Sequence, residues 1–137
     1  VLPFYTLQEV YTKLEIASDA GDIQNNKAMA VLSYIGIFVL IPVFAAKNSP
    51  YARYHANQGL LLFLAEIVWT VFCSVVNACL ALLSLFGPLF WVISAVISSI
   101  LGILSLVFLA LAIYGIVNAA TGKAKPLPVL GRFTLLH

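Results

Sequence analysis

Two long apolar stretches dominate the pattern of hydrophobic and polar positions along the chain. Residues 28–46 contain no charge and lie between Lys27 and Lys47. Residues 56–120 contain a single charge, Glu66. A helix needs about 20 apolar residues to cross a bilayer. Each stretch is therefore long enough to form at least one transmembrane helix.

A turn signal divides the longer stretch into two helices. Gly87 and Pro88 separate the apolar residues 59–86 from the apolar residues 89–120. Together with residues 28–46, this pattern predicts an all-α integral membrane bundle of three transmembrane helices, the first kinked at Pro42. As one helix, residues 89–120 extend about 48 Å, so they must tilt, protrude or break. A break near Gly102 would give four spans, but no charge or Pro/Gly cluster marks one, so we favour three.

Polar segments flank the transmembrane region. Residues 1–26 are predicted to form an amphipathic N-terminal segment, because Thr6 and Glu9 match a capping box and residues 7–14 carry apolar side chains at helical spacing. We expect this short helix to lie at the membrane surface or on a partner. Residues 27–122 form the predicted transmembrane domain. Residues 123–137 form a predicted extended tail, because its two prolines prevent a continued helix.

A polar connector is predicted between the first two transmembrane helices. Asn48, Ser49 and Pro50 end the first helix, and the tyrosines that follow are typical of a membrane interface. This connector motif contains Ser49, Pro50, Arg53, His55, Asn57 and Gln58.

Composition supports the membrane prediction. Hydrophobic residues make up 63% of the 137 residues, charged residues 9%, and the mean hydropathy is +1.06. Soluble domains average about 25% charged residues, and disordered chains need low hydrophobicity, so both classes are excluded. The net charge of +2 is too small to indicate nucleic-acid binding. Cys73 and Cys79 are too few for a zinc site, and we expect them to be buried thiols.

Three segments resemble a known family. They are residues 26–30 (NKAMA), residues 44–59 (FAAKNSPYARYHANQG) and residues 115–123 (GIVNAATGK). They resemble a family of small bacterial multi-pass membrane proteins of unknown function, similar to the Tic-type import component of the chloroplast inner envelope. The resemblance covers about residues 23–133. It implies a helical membrane protein without an established enzymatic activity, and it transfers no catalytic residue. A link to protein translocation is implied only by the distant chloroplast relative.

A polar seam is predicted along the second transmembrane helix. His55, Glu66 and Asn77 are each eleven residues apart, a spacing that returns to within about 20° of the same helix face. Thr70 lies along or beside this stripe, as do Cys73 and Ser74. In one interpretation the seam holds helices together, with Glu66 protonated or paired with Arg53 or His55. In the other it is a proton or ion site, because an ionisable group within a span indicates function.

A row of small residues marks the third transmembrane helix. Ser94, Ser98 and Gly102 repeat at four-residue spacing, and Ser105 follows. Small residues let helix backbones approach closely. We interpret this helix-packing ridge as ordinary packing within the bundle, with contact to a partner as the alternative.

Enzyme signatures are absent from the sequence, which carries no nucleophile elbow, phosphate-binding loop or metalloprotease motif. With one carboxylate and one histidine in the membrane region, too few groups remain for catalysis. We therefore predict no enzyme activity, cofactor or metal site. The leading interpretation is a non-catalytic accessory or scaffolding subunit of a membrane complex. The alternative is a transport or protein-translocation component with a polar path along His55, Glu66 and Asn77.

The positions of the basic residues predict a topology. In the three-span arrangement, five Lys and Arg residues lie on the side of the connector and tail, against two on the other side. Because positive charge favours the cytoplasm, we expect a protein of the bacterial cytoplasmic membrane with its C-terminus in the cytoplasm and its N-terminus outside. The expected partners are the lipid bilayer and another membrane subunit or a second copy, and no nucleic acid.

Overall fold

The computed structural model describes residues 20–128, and every regular element in this range is a helix. These are α1 (Ala20–Leu32), a 3-10 turn (Gly36–Val39), α2 (Leu40–Ala45), α3 (Pro50–Leu83), a second 3-10 turn (Ser84–Phe86) and α4 (Pro88–Ala120). The all-α prediction is confirmed for these residues. The N-terminal helix predicted over residues 7–14 lies outside the described residues, as do residues 129–137 of the predicted tail.

Helices α3 and α4 are the two described helices that are long and apolar enough to cross a membrane. They contain 34 and 33 residues, or about 50 Å each. Gly87 joins them with φ of 141°, which a residue with a side chain rarely adopts. Pro88 begins α4, where its missing N–H leaves no helical bond unmade. The predicted turn is confirmed, and α4 continues through Gly102 without a break.

The first transmembrane helix, predicted over residues 28–46, is wrong as one continuous helix. Helix α1 ends at Leu32, Gly36 turns the chain with φ of 50°, and only the short apolar stretch Gly36–Ala45 follows. Pro42 is buried within α2 instead of kinking a long helix. The described residues therefore contain two candidate spans, and the three-span bundle is not confirmed.

Residues before and after this stretch meet at one place. Ser49 Oγ donates a hydrogen bond to Asp22 Oδ1 at 2.6 Å, and the backbone N–H of Tyr51 donates to Asp22 Oδ2 at 3.2 Å. A helix that crossed the bilayer between positions 22 and 49 would hold these residues about 30 Å apart. The chain instead turns back, because Gly36 interrupts the helix and α2 packs against α1.

The connector motif is helical instead of forming a loop between helices. Ser49 caps the N-terminus of α3: its Oγ accepts the N–H of Ala52 at 3.1 Å, and its carbonyl accepts the N–H of Arg53 at 2.9 Å. Pro50 follows as the first residue of the helix, where proline is favoured. The polar residues after it therefore occupy the first turns of α3, a correction to the predicted connector.

Helix α4 ends at a glycine in the left-handed region. Gly122 has φ of 79°, its N–H donates to the carbonyl of Ala119 at 3.4 Å, and the N–H of Lys123 donates to the carbonyl of Asn118 at 2.8 Å. This pair of bonds is the Schellman motif, which satisfies the last carbonyls of a helix. Residues 123–128 continue without helix, and the extended tail stays a prediction.

The described residues divide into two compact units. One contains residues 20–64 and 110–128, and the other contains residues 65–109. We call them the polar-core unit and the hairpin unit. The predicted domain boundaries after residues 26 and 122 stay a prediction, and α1 runs across the first of them.

Candidate functional site

A cluster of aromatic rings around His55 forms the centre of the polar-core unit. The rings of Tyr34, Tyr51 and Tyr54 meet the imidazole edge-on, with centroid distances of 5.5, 4.8 and 5.4 Å. His55 and Tyr51 have no exposed surface, and the other two tyrosines are also buried. We call these four residues the Tyr–His cluster. Tyr51 and Tyr54, which follow Pro50, thus pack in the protein interior, and their place at a membrane interface stays a prediction.

Hydrogen bonds join this cluster to the end of α4. His55 Nε2 lies 2.9 Å from the carbonyl oxygen of Lys123, and Nδ1 lies 2.6 Å from Tyr34 Oη. A carbonyl only accepts, so Nε2 carries the proton, and in the neutral imidazole Nδ1 accepts from the Tyr34 hydroxyl. Tyr51 Oη donates to the carbonyl of Ala119 at 2.6 Å. Two side chains of α3 thus hold the backbone at the C-terminal end of α4.

The Tyr34 hydroxyl is suited to donating in this network. Burial first, and then the neighbouring phenols of Tyr54 and Tyr51, raise the pKa of Tyr34 well above its usual range. A phenol in such a site stays neutral because its charged form loses solvation by water. Tyr34 therefore acts as a hydrogen-bond donor to the imidazole.

A carboxylate lies at the N-terminus of α3. Besides its bonds with Ser49 and Tyr51, Asp22 accepts a hydrogen bond from Asn26 Nδ2 at 2.9 Å. The exposed N–H groups at a helix N-terminus favour a negative charge. Asp22 therefore ties α1 to the start of α3, and its contacts are structural.

The remaining connector-motif residues lie along the first turns of α3. Gln58 is buried, and its Oε1 accepts the backbone N–H of Leu127 at 3.0 Å. Asn57 is also buried, whereas Arg53 and Pro50 are half-buried. Four of the six motif residues are thus part of the interior, and two of these, His55 and Gln58, bind the segment that follows α4.

Two glycines allow the turn after α1 to pack closely. A Cβ atom at Gly59 of α3 would overlap the backbone carbonyl of Ser33, and one at Gly115 of α4 would overlap the ring of Tyr34. Close approach of this kind requires residues without side chains. Gly59 lies in the segment 44–59 and Gly115 in the segment 115–123, two of the three segments that resemble a known family. Their role depends on contacts that the sequence does not show.

The predicted polar seam occupies one helix, but its members make different contacts. Both ring nitrogens of His55 are bonded to Tyr34 and Lys123, so neither pairs with Glu66. Asn77 accepts a hydrogen bond from Ser98 Oγ at 2.6 Å and donates to the carbonyl of Cys73 at 2.8 Å. Thr70 is exposed, and its carbonyl accepts from Ser74. Glu66 makes no hydrogen bond or ion pair with any residue in the range 20–128. The seam as a functional site stays a prediction.

The predicted ridge on α4 includes both bonded and open positions. Ser94 Oγ donates to the carbonyl of Leu80 at 3.0 Å, and Ser98 pairs with Asn77. Trp69 Nε1 donates to Ser105 Oγ at 2.7 Å. Leu80 and Ser94 each lie seven residues from Gly87, and Trp69 and Ser105 each lie eighteen, which is the register of an antiparallel hairpin.

Gly102 differs from the other ridge residues. A Cβ atom there would meet nothing within 4 Å. The two ridge serines thus form contacts within the hairpin unit, whereas Gly102 faces open space. The use of this ridge by a partner stays a prediction.

Several groups could in principle bind a metal, but they do not converge in the described part of the chain. Between residues 20 and 128, no three His, Cys, Asp or Glu side chains form a group that could hold an ion. Cys73 is half-buried and Cys79 is exposed, and both are free thiols, so the expectation that both are buried is wrong. The arrangement in this range holds helices together and provides no assembled acid–base pair.

Sequence reasoning missed Asp22, Tyr34 and Tyr51 as partners of the connector motif. Their contacts join positions 21 to 68 residues apart, so no local periodicity identifies them. One signal was present: Ser33 and Tyr34 are the two residues with hydroxyl groups in the apolar stretch 28–46, and they come just before Gly36.

Comparison with known proteins identifies relatives over most of the chain. Residues 25–134 match the model of the magnetosome magnetite crystal formation protein family, MamF/MmsF. The chain is 31% identical over 110 residues to the magnetosome protein MamF of Paramagnetospirillum magneticum, covering 79% of this chain and 81% of that protein. It is 26% identical over 117 residues to MamF of Magnetospirillum gryphiswaldense, covering 85% and 89%. No solved structure matches the chain.

These matches correct the expected relationship. The resemblance to a family similar to the Tic-type import component is wrong, because the matched model spans all three segments on which it rested. The Tic-like assignment is therefore wrong, and the protein-translocation link that depended on it has no support. The prediction of a helical membrane protein stands. The chain belongs to the magnetosome magnetite crystal formation protein family.

Proposed function

We propose that this protein acts in the magnetosome membrane as a non-catalytic accessory subunit in magnetite crystal formation. The family match over residues 25–134 carries this proposal, and the MamF relatives align along most of their own length. The membrane is then that of the magnetosome and not the bacterial cytoplasmic membrane expected from the sequence.

The contacts of the polar groups support a non-catalytic role. His55, Tyr34 and Tyr51 bond to one another or to backbone carbonyls, and His55 and Tyr51 have no exposed surface. A general acid or base must reach a substrate proton directly or through one water. Groups already paired in the interior are suited to fixing the fold. The protein then acts through the surfaces that this fold presents.

A partner protein remains part of the proposal. The exposed surface of α4 is mostly apolar and carries the open position at Gly102. Another membrane subunit or a second copy of the chain can pack against such a face, since small residues favour close helix contact. The N-terminal segment is the other expected contact.

Ion transport is a second candidate function, favoured by Glu66 alone. It is the single charge in residues 56–120 and lacks a partner within the described range. An ionisable group in a span indicates a functional site. One carboxylate cannot form a path, so this candidate requires an oligomer with Glu66 facing its axis.

The test is gene deletion with complementation in the organism that carries the protein. We expect deletion to change the size or number of magnetite crystals in electron micrographs, and a tagged wild-type chain to restore them and co-purify with isolated magnetosomes. The Glu66→Gln variant restores the crystals if the role is accessory and fails if Glu66 carries ions. Unchanged crystals after deletion, with the tagged chain absent from magnetosomes, would overturn the proposed function.

A further inference from the structure

An exposed apolar face covers residues 35–45, between α1 and α3. Its exposed side chains are Ile35, Ile37, Phe38, Leu40, Ile41 and Phe44. Ile37 and Phe44 expose 63% and 68% of their surface, whereas Val39 and Pro42, on the opposite side, are buried. The segment is therefore packed inward on one side and carries only apolar groups on the other.

This segment is too short to cross a bilayer. Eleven residues of α- and 3-10 helix extend about 16 to 22 Å, less than the hydrocarbon thickness of about 30 Å. Apolar helices of this length are either buried core helices or re-entrant or interfacial segments. The exposed face excludes the first case.

Contacts at both ends show that the segment enters and leaves on one side. Asp22, before it, is bonded to Ser49 and Tyr51, after it. At the turn, Ser33 packs on Gly59 of α3. Gly59 is ten residues along α3 from Ser49, or about 15 Å, so the turn lies that distance further along α3 than Ser49, toward its apolar part.

We propose that residues 35–45 form a re-entrant anchor, inserted in one leaflet with their apolar face against lipid acyl chains. The chain then crosses the bilayer twice between residues 20 and 128, through α3 and α4. This replaces the expectation that the N- and C-terminal segments lie on opposite sides. The inference concerns membrane insertion and does not depend on the proposed function.

The position of this apolar face relative to α3 and Lys47 favours contact with lipid. Gly59, where the turn packs, is also where the apolar register of α3 resumes, so the turn that leads into the segment lies where α3 becomes suited to hydrocarbon. Lys47 follows the segment directly and is exposed, and a cation in this position suits a phosphate headgroup.

The charge distribution selects the leaflet. All five Lys and Arg residues between positions 20 and 128 belong to the polar-core unit: Lys27, Lys47, Arg53, Lys123 and Lys125. The turn between α3 and α4 carries none. Because positive charge is retained in the cytoplasm, the anchor lies in the cytoplasmic leaflet and the turn at Gly87 faces the opposite compartment.

Cysteine labelling tests the two-span topology. In a Cys73→Ala/Cys79→Ala background, single cysteines replace the exposed residues Asn25, Asn48 and Lys125, and Leu85 at the turn. Vesicles of known orientation are treated with a membrane-impermeant maleimide. We expect the first three sites to react together from one side, and Leu85→Cys to react only after detergent is added. Labelling of Asn25→Cys from the side opposite to Asn48→Cys would overturn the proposal.

Spin-label accessibility tests the lipid contact itself. The purified protein is labelled at Ile37→Cys or Phe44→Cys, with Asn48→Cys as the water-exposed control, in phosphatidylethanolamine/phosphatidylglycerol vesicles. We expect the first two labels to be relaxed by oxygen and shielded from a water-soluble nickel complex, with the reverse at position 48. Nickel accessibility at Ile37→Cys, or immobile labels shielded from both reagents as in a protein interface, would overturn the proposal. Circular dichroism confirms that each variant is helical.

Discussion

The polar-core unit and the hairpin unit use their side chains in opposite ways. In the first, Tyr34, His55 and Gln58 are buried and bonded to groups far away in the sequence. In the second, large apolar side chains such as Val68 and Leu82 point outward, with 70% and 67% of their surface exposed. Exposed apolar surface on this scale suits lipid and not water. Burial of polar groups thus organises one unit, and apolar outer faces adapt the other to the bilayer.

Substitution of one helical glycine in each unit is expected to give the largest difference in the free energy of unfolding. Gly59→Ala places a methyl group against the Ser33 carbonyl, and we expect a loss of about 3 kcal/mol in the free energy of unfolding, at the upper end of overpacking effects. Gly102→Ala meets no atom within 4 Å and provides the matched control, with stability unchanged or raised by up to about 1 kcal/mol because alanine favours the helix. Denaturation followed by circular dichroism in detergent measures both. Equal effects at the two positions would contradict the close packing at Gly59.

Removal of one hydroxyl group from the Tyr–His cluster is expected to cause a smaller loss of stability. Tyr34→Phe leaves His55 Nδ1 buried without a hydrogen-bond donor. We expect this to lower the free energy of unfolding by about 2 kcal/mol. Tyr114, in the same unit, is 41% exposed, so Tyr114→Phe should leave stability unchanged. The same denaturation measurement compares the two variants. If Tyr34→Phe is as stable as Tyr114→Phe, the cluster contributes packing and no hydrogen-bond energy.

Within the hairpin unit, single hydrogen bonds should matter less. Ser98→Ala removes the hydrogen bond to Asn77 that joins α4 to α3. We expect the free energy of unfolding to fall by about 0.6 kcal/mol, the average for interhelical hydrogen bonds in membranes. Ser99 bonds to the carbonyl of Ala95 in its own helix, so Ser99→Ala is the control, with a smaller change. A loss at Ser98 as large as that at Tyr34 would remove the contrast between the units.

The smallest effect on stability is expected at Glu66. Because its carboxyl has no partner within residues 20–128, neither Glu66→Gln nor Glu66→Leu should lower the unfolding midpoint. The interpretation of Glu66 as a side chain that holds helices together instead predicts that the Leu variant is destabilised and the Gln variant is not. A folded Gln variant that fails to restore magnetite crystals would favour the ion-transport candidate.

Local patterns predicted those parts of the fold that depend on neighbouring residues. The turn at Gly87-Pro88, the long apolar helices and the end of α4 near Gly122 were all readable because proline and glycine act on the backbone where they stand. The prediction of one transmembrane helix over residues 28–46 is wrong. The length and hydropathy of such a stretch are the same whether the chain crosses the membrane or turns back. The end of α1 at Leu32, the turn at Gly36 and the pairing of Asp22 with Ser49 distinguish the two.

The sequence by itself determined the solvent of this protein, since 63% hydrophobic residues in uninterrupted runs require lipid. It also determined the two long helices, whose backbone bonds are all local. The tertiary structure decided which polar residues are interior. His55, Glu66 and Asn77 share one helix stripe, yet His55 is buried between Tyr34 and Lys123 and Asn77 pairs with Ser98. Glu66 has no such partner among the residues that the structure describes. Helical periodicity gives the direction of a side chain, whereas its contacts depend on distant segments that only the folded chain brings within hydrogen-bond distance.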